Sequence, residues 1–154
     1  MINYTTGNLI DLAEAGEFSI IVQGCNCFCR MGSGIAKEIR DRYPTAWQAD
    51  NYTVTGDIFK LGGWSYDVQD TFTIINAYTQ YDTASVIGED VFEYSSFDVI
   101  LRKLAHCYPG EKFGFPYIGT GLAGGDKAVI INSLEKFAIA VAETNGSVTL
   151  VEFK

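Results

Sequence analysis

Glycine residues cluster at two places where an anion site built from the backbone would need them. The segment 24–34 carries three glycines after the apolar run 18–22, and the segment 119–125 carries four after the apolar run 113–117. Each segment leads into a predicted helix. Because glycine has no Cβ, backbone N–H groups can approach an anion there, and a helix N-terminus adds partial positive charge. Tight turns without a ligand are the alternative, but two such segments at the carboxyl ends of strands favour a diphosphate site.

Neither glycine segment has the spacing of the common nucleotide motifs. The pattern Gly-x-x-x-x-Gly-Lys-Ser/Thr is absent, and so is Gly-x-Gly-x-x-Gly, so the sequence does not support an NTPase or a dehydrogenase. The formal net charge of −8 also argues against binding to a nucleic-acid backbone, which needs a basic surface. An acidic protein can still bind a phosphate when main-chain amides, rather than Lys or Arg, supply the favourable field.

The residues that bind metals or form disulfides are few and poorly spaced. His106 is the single histidine, and three of the four cysteines (Cys25, Cys27 and Cys29) alternate along the chain. Cys-x-Cys is a poor match to a thiolate zinc site and to a secreted disulfide framework. We therefore predict no metal, no cofactor and reduced cysteines in an intracellular protein.

The composition predicts a single folded domain over residues 1–154. Hydrophobic residues make up 47% of the chain and charged residues 19%, which is typical of a globular protein. No apolar run approaches the ~20 residues of a membrane span, and the first residues lack a signal-peptide pattern. A cytoplasmic location without a membrane partner is the corresponding expectation.

Hydrophobic periodicity predicts alternating strands and helices around these segments. The predicted strands are 2–6, 18–22, 64–68, 72–79, 113–117 and 148–153. The predicted helices are 9–15, 35–43, 97–105 and 130–141, and 80–94 is predicted to be a loop. Pro44 is expected to break the second helix. This order predicts an α/β domain with a largely parallel sheet.

Three blocks of the chain resemble the macro domain family. They are Gly7-Asn8-Leu9-Ile10, then Gly24-Cys25-Asn26-Cys27 with Met31-Gly32-Ser33-Gly34-Ile35-Ala36, and then Pro116-Tyr117-Ile118-Gly119-Thr120-Gly121-Leu122. The chain is most similar to small stand-alone members, which include ADP-ribose-1″-phosphate phosphatases and terminal ADP-ribose-protein glycohydrolases. The resemblance implies a three-layer α/β/α sandwich with a mixed, mostly parallel sheet that holds ADP-ribose at its carboxyl edge.

The resemblance also implies which residues touch the ligand. Gly32, Ser33, Gly34 and Ile35 match the first phosphate loop, and Gly24 is a further ligand contact. The second comprises Ile118, Gly119, Thr120, Gly121 and Leu122. Asn8 and Leu9 match the adenine end, where many relatives have an Asp in place of Asn8; a plain helix cap is the alternative for Asn8. Asn26 matches the contact to the distal ribose, with an ordinary turn as its alternative, and Phe153 matches an aromatic beside adenine or belongs to the core.

The catalytic candidates are Asn26, Asp126 and Gln23. Asp126 follows two glycines and precedes the last predicted helix, so it is either a general base or an N-cap. Gln23 stands where some phosphatase relatives carry a histidine, and it can orient water but cannot take its proton. Gln80 stands where glycohydrolase relatives have a nucleophilic lysine, which argues against that covalent route.

Three functions follow from the resemblance. The favoured one is a hydrolase that acts on an ADP-ribose derivative such as ADP-ribose 1″-phosphate. The alternatives are a binding module without catalysis and a glycohydrolase that removes ADP-ribose from protein or nucleic acid. Nucleic acid is then expected only as an ADP-ribosylated substrate.

Overall fold

The computed structural model describes residues 1–83, 91–117 and 125–154. Its strands are β1 (Asn3–Gly7), β2 (Ile20–Asn26), β3 (Trp64–Val68), β4 (Thr73–Gln80), β5 (Lys112–Phe115) and β6 (Ser147–Phe153). Its helices are α1 (Leu9–Glu14), α2 (Gly34–Arg42), α3 (Pro44–Asn51), α4 (Tyr94–Cys107) and α5 (Lys127–Ala142), with a 3₁₀ turn at Ile58–Lys60. Within the described residues, no helix has both the length and the apolar character required to cross a membrane.

The strands form one six-stranded sheet in the order β1-β6-β5-β2-β4-β3. Every neighbouring pair is parallel except β3 and β4, which are antiparallel. The mixed, mostly parallel sheet predicted from the sequence is therefore confirmed. Because the five parallel strands share one direction, their carboxyl ends meet at a single edge of the sheet.

Helices cover both faces of the sheet, which confirms the three layers. Successive strand residues point to opposite faces, so Ile74 packs with α1, α2 and α3, while Ile75 packs with α4 and α5. The two apolar clusters are separate, and each contains strand residues with almost no exposed surface. Burial on both faces explains why β2 and β4 begin with continuous apolar runs rather than alternating ones.

Two features of the fold differ from the sequence prediction. Pro44 does end α2, but it also begins α3, because a proline at the first helical position lacks only an N–H that would be unpaired there. Strand β2 also continues past Val22 to Asn26, so Gly24 and Asn26 lie on a strand rather than in a loop. The strand continues by pairing with β4, where Gln23 Nε2 donates to Asn76 Oδ1 at 2.8 Å, while among the described residues the buried Gln23 Oε1 has no partner.

Candidate functional site

A cavity of about 390 Å³ lies at the carboxyl ends of β1, β5 and β6, beside the first turns of α1 and α2. Its volume is within the range of small-molecule sites. The lining residues among those described are Gly7, Leu9, Gly34, Ile35, Glu38, Pro116, Val151 and Phe153. Four of the predicted ligand contacts, Leu9, Gly34, Ile35 and Phe153, are therefore brought together from three distant parts of the sequence.

The N-terminus of α2 meets this cavity without a side-chain cap. Ser33 is in the N-cap position, but its hydroxyl makes no capping hydrogen bond. Asn8 caps α1 and Asp126 caps α5 through their side-chain oxygens, whereas α3 and α4 lack a side-chain cap as α2 does but do not line this cavity. The first-turn N–H groups of a helix lack partners in the helix, so those of α2 remain available to an anion.

Glycine is favoured at the first residue of α2. Gly34 has a φ of +57°, a left-handed conformation that side-chain-bearing residues rarely adopt, and the space where its Cβ would lie is empty. The surface beside Gly32 is equally open. Gly32, Ser33 and Gly34 are all exposed, so solvent and ligand can reach the backbone of the first predicted phosphate loop.

Asn8 uses both ends of its side chain within the protein. Its Oδ1 accepts a hydrogen bond of 2.9 Å from the Asp11 N–H, which is the helix cap anticipated as an alternative. Its Nδ2 donates to Glu38 Oε1 at 2.8 Å. A contact between Asn8 and adenine stays a prediction, and Asn8 links α1 to α2 between the cavity residues Gly7 and Leu9.

Phe153 is not part of the core. It lies at the end of β6 beside Gly7 and is 73% exposed, although it lines the cavity. An aromatic side chain so exposed at a cavity mouth is available to pack against a flat ligand ring. Its position agrees with the predicted aromatic contact and excludes the alternative of a core phenylalanine.

Asn26 organises the loop that follows β2. Its Oδ1 accepts from the Phe28 and Arg30 N–H groups at 3.0 and 3.2 Å, and its Nδ2 donates to the Arg30 carbonyl at 2.9 Å. This is the turn interpretation, and the side chain is only 6% exposed. Contact with a distal ribose remains a prediction for Asn26, and contact with the ligand remains a prediction for the half-buried Gly24 two residues earlier.

A buried polar network supports this loop from behind. The Lys60 ammonium donates to the Cys27 carbonyl and to Thr53 Oγ1, each at 2.8 Å, and lies 4.9 Å from the centre of the Tyr78 ring. Tyr78 in turn donates to Asp50 Oδ1 at 2.7 Å, while Asp50 Oδ2 is buried without a partner. Burial raises the pKa of the Asp50 carboxyl above its ordinary value. These residues are scattered in the sequence, and no spacing signal could have identified them.

The cysteines next to Asn26 are held as thiols in this network. Burial raises the pKa of Cys25 well above its ordinary value and raises that of Cys27 to about 11. Cys29 has a positive φ of 59° and its thiol lies 3.2 Å from the Asp50 carbonyl. All four cysteines of the chain are free.

The other catalytic candidates lie apart from one another. Gln23 has no exposed surface, and its amide donates to Asn76 Oδ1 at 2.8 Å. Asp126 is exposed, and its Oδ1 accepts from the Ala128 and Val129 N–H groups at 2.9 and 3.5 Å, which makes it the N-cap of α5. Gln80 ends β4, where its amide donates to the Asp82 carbonyl.

The second predicted phosphate loop, comprising Ile118, Gly119, Thr120, Gly121 and Leu122, lies outside the described residues. Its flanks are described on both sides. Pro116 lines the cavity after β5, and Asp126 precedes α5 as its N-cap, with its N–H donating to the Tyr94 hydroxyl at 2.8 Å. The chain therefore leaves β5 at the cavity and returns at the helix cap.

A second hollow of about 460 Å³ lies between α4 and α5. It is lined by helix side chains, among them Asp98, Arg102 and Lys136, on the outer face of the molecule. No strand end opens into its described lining, although Ser95 in the first turn of α4 contributes to it. The smaller cavity is therefore the candidate site, because the carboxyl ends of strands and the glycine at the start of α2 meet there.

Comparison with known proteins gives a consistent result. No protein-family model matches the chain. A 17.5 kDa protein from the tk-vs intergenic region of enterobacteria phage T4 is 30% identical over 149 residues, covering 90% of each chain. The macrodomain of Mycobacterium tuberculosis DarG is 20% identical with a TM-score of 0.76, over 98% of this chain and 97% of that one. A Trypanosoma brucei macrodomain in complex with ADP-ribose is 14% identical with a TM-score of 0.69, over 99% of this chain and 63% of that one.

Proposed function

Since the chain has the macrodomain fold and belongs to the same family as the phage T4 17.5 kDa protein, we propose that its cavity binds ADP-ribose. The observation that carries this proposal is the N-terminus of α2. It opens on Gly34, lacks a side-chain cap and faces the cavity at the carboxyl edge of the sheet. An anion there would complete the hydrogen bonds of the first helical turn.

The ligand is placed by matching its parts to the surfaces present. The diphosphate is placed against Gly32, Ser33 and Gly34, and the sequence predicts a further contact to it from residues 118–122. The adenine lies between Leu9 and the exposed ring of Phe153, since both line the same cavity. The Trypanosoma brucei structure holds ADP-ribose on the same fold, which supports ADP-ribose as the ligand to test first.

Hydrolysis of an ADP-ribose derivative, such as ADP-ribose 1″-phosphate, is the second candidate function. The observation that favours it is the exposed carboxylate of Asp126, whose cap bonds all end on Oδ1. The other oxygen is then available to take a proton from water. Asn26, at the end of β2, would fix the distal ribose. Gln23 enters this proposal only as a residue that supports β2, because its side chain is fully buried.

The alternatives differ in what they need. A binding module needs only the α2 N-terminus and the adenine end. A glycohydrolase needs a group that activates the anomeric carbon, and Gln80 cannot supply the amine of the lysine-dependent route. A cytoplasmic location is part of the proposal and rests on the alternating cysteines, which suit a reducing compartment.

Titration calorimetry with ADP-ribose, ADP, and adenosine tests the binding proposal. We expect ADP-ribose to bind and adenosine to bind at least about 100-fold more weakly, because adenosine lacks the anion that meets α2. Equal affinities for ADP-ribose and adenosine would overturn it. Release of inorganic phosphate from ADP-ribose 1″-phosphate then tests hydrolysis, and tight binding with no release would leave the protein a binding module.

A further inference from the structure

The sulfur of the half-buried Cys29 lies against the ammonium group of Lys60. Lys60 Nζ donates to Cys29 Sγ at 3.7 Å, while the thiol itself donates to the Asp50 carbonyl at 3.2 Å. Because the thiol hydrogen is directed at that carbonyl, the sulfur meets the nitrogen through a lone pair. Within the described residues, Cys29 is the one cysteine whose sulfur contacts a lysine nitrogen.

Both members of this pair are held in place by the surrounding structure. Cys29 has a φ of 59°, which side-chain-bearing residues rarely adopt, and Asn26 Oδ1 accepts from the backbone N–H groups on either side of it. The ammonium of Lys60 also donates to the Cys27 carbonyl and to Thr53 Oγ1, each at 2.8 Å. Backbone strain that the surroundings maintain is typical of functional positions, so the pair merits a chemical interpretation.

An oxidant reaches the Cys29 thiol more readily than the thiols of its two neighbours. Cys25 and Cys27 are buried, whereas Cys29 is half-buried beside the exposed Thr55. The hydroxyls of Thr55 and Thr53 lie 3.6 and 3.7 Å from the Cys29 sulfur. These hydroxyls can therefore hydrogen-bond an oxygen atom that is added to the sulfur.

We propose that hydrogen peroxide joins Cys29 Sγ to Lys60 Nζ through a covalent S–N bond, which makes the pair a reversible site of oxidative modification. In the first step the sulfur attacks the peroxide and breaks its O–O bond, so that the thiol becomes a sulfenic acid and one water is released. In the second step the Lys60 amine, having lost one proton to solvent, attacks the sulfur. The S–N bond forms as the S–O bond breaks, and the departing hydroxide takes a second amine proton and leaves as water. The sulfur loses two electrons in total, and the peroxide gains two.

The bond would change the support of the loop that follows β2. Its nitrogen keeps a single hydrogen, so it can donate to the Cys27 carbonyl or to Thr53 Oγ1 but no longer to both. The Tyr78 ring also loses the cation that lies 4.9 Å from its centre. A thiol reductant that attacks the sulfur releases the amine and restores the original network.

The test treats the folded full chain with hydrogen peroxide, blocks free thiols with iodoacetamide and analyses a proteolytic digest by mass spectrometry. We expect a linked peptide that contains Cys29 and Lys60, is lighter than its two parts by two hydrogen atoms, and disappears after treatment with dithiothreitol. The chain unfolded in urea should give no such peptide, because the fold brings the two residues together. Lys60→Arg is the matched control, since it keeps the positive charge but its delocalised guanidinium is a poor nucleophile.

Exposed Cys107 reports whether the peroxide has acted in the same sample. Oxidised Cys107 without a link between Cys29 and Lys60 would overturn the proposal, and this measurement stands even if a variant fails to fold. A disulfide from Cys29 to Cys25 or Cys27 would overturn it as well, since the sulfur would then have a different partner. A linked peptide that retains an added oxygen atom, or one that also forms in Lys60→Arg, would refute the S–N bond.

Discussion

Replacement of Gly34 by glutamate should separate the binding site from the fold. The added Cβ meets no atom within 4 Å, so the cost to the fold is limited to the strain of a positive φ, about 1–2 kcal/mol. A domain with a typical stability of about 5–15 kcal/mol tolerates that loss. Gly34→Glu should therefore remain folded, with a lowered melting temperature.

The same change should strongly weaken binding of the diphosphate. A side chain at position 34 covers the amides of the first turn, and each lost hydrogen bond to a charged group costs about 1.5–3 kcal/mol. The new carboxylate adds repulsion of up to about 4 kcal/mol for charges 4 Å apart near a surface, less where solvent screens it. We expect at least a 100-fold loss of ADP-ribose affinity, since about 2.7 kcal/mol corresponds to that factor.

Calorimetry with ADP-ribose measures this loss, and Gly16→Glu is the matched control. Gly16 also has a positive φ, +89°, with open space beside it, but it lies at the far end of α1 from the cavity. The control should lose similar stability and keep wild-type affinity. If Gly34→Glu is folded and binds as the wild type does, the α2 N-terminus is not the phosphate site.

Three further predictions concern other residues. Asp126→Asn should keep the cap of α5, because Asn caps a helix as well as Asp does. If the carboxylate is a general base, the substitution should lower the rate of phosphate release from ADP-ribose 1″-phosphate by roughly 10²–10⁴-fold. An unchanged rate would remove Asp126 from the mechanism. Burial raises the pKa of the Cys25 and Cys27 thiols, whereas Cys107 is exposed. Iodoacetamide at pH 8 should therefore label Cys107 first in the folded protein, as measured by peptide mass spectrometry. Early labelling of Cys25 would contradict this. Burial also raises the pKa of Asp50, so the folded protein binds this proton more tightly than the unfolded chain does. The free energy of unfolding should therefore fall as pH rises from the ordinary pKa of a carboxyl group through the raised pKa of Asp50. Asp50→Asn should flatten this trend in urea unfolding at pH 4.5 and 7, and identical trends in both proteins would show that Asp50 titrates normally.

The strands and most helices could be predicted because burial imposes a strong pattern on the sequence. β3 was predicted at its observed bounds, and β4 and β6 within one residue at each end. Helix α3 was missed because a proline marks a helix start and a helix end equally well. The extension of β2 was missed because Gln23 and Asn26 look like loop residues until their partners on other elements are known.

The candidate site was predicted only in part, and for a related reason. Gly34 could be identified from sequence because backbone approach restricts the residue type to glycine. Glu38 could not, since a glutamate four residues before Arg42 looks like an ordinary solvated ion pair on a helix. Its place in the cavity depends on β6 and α1, which lie far away in the sequence. For the same reason, the sequence left two roles for Phe153, a core residue or an aromatic contact to adenine.

The position of β1 in the sheet has a consequence for how the cavity assembles during folding. Among the described strands, β1 pairs with β6 alone, and that pairing joins Asn3 to Thr149. Such a distant pairing forms slowly, because the entropy of closing a long loop must be overcome before the contact is gained. Gly7, Leu9, Val151 and Phe153 thus come together only when β6 inserts between β1 and β5. A ligand that spans them would bind only the fully assembled sheet and would slow proteolysis at both ends of the chain together.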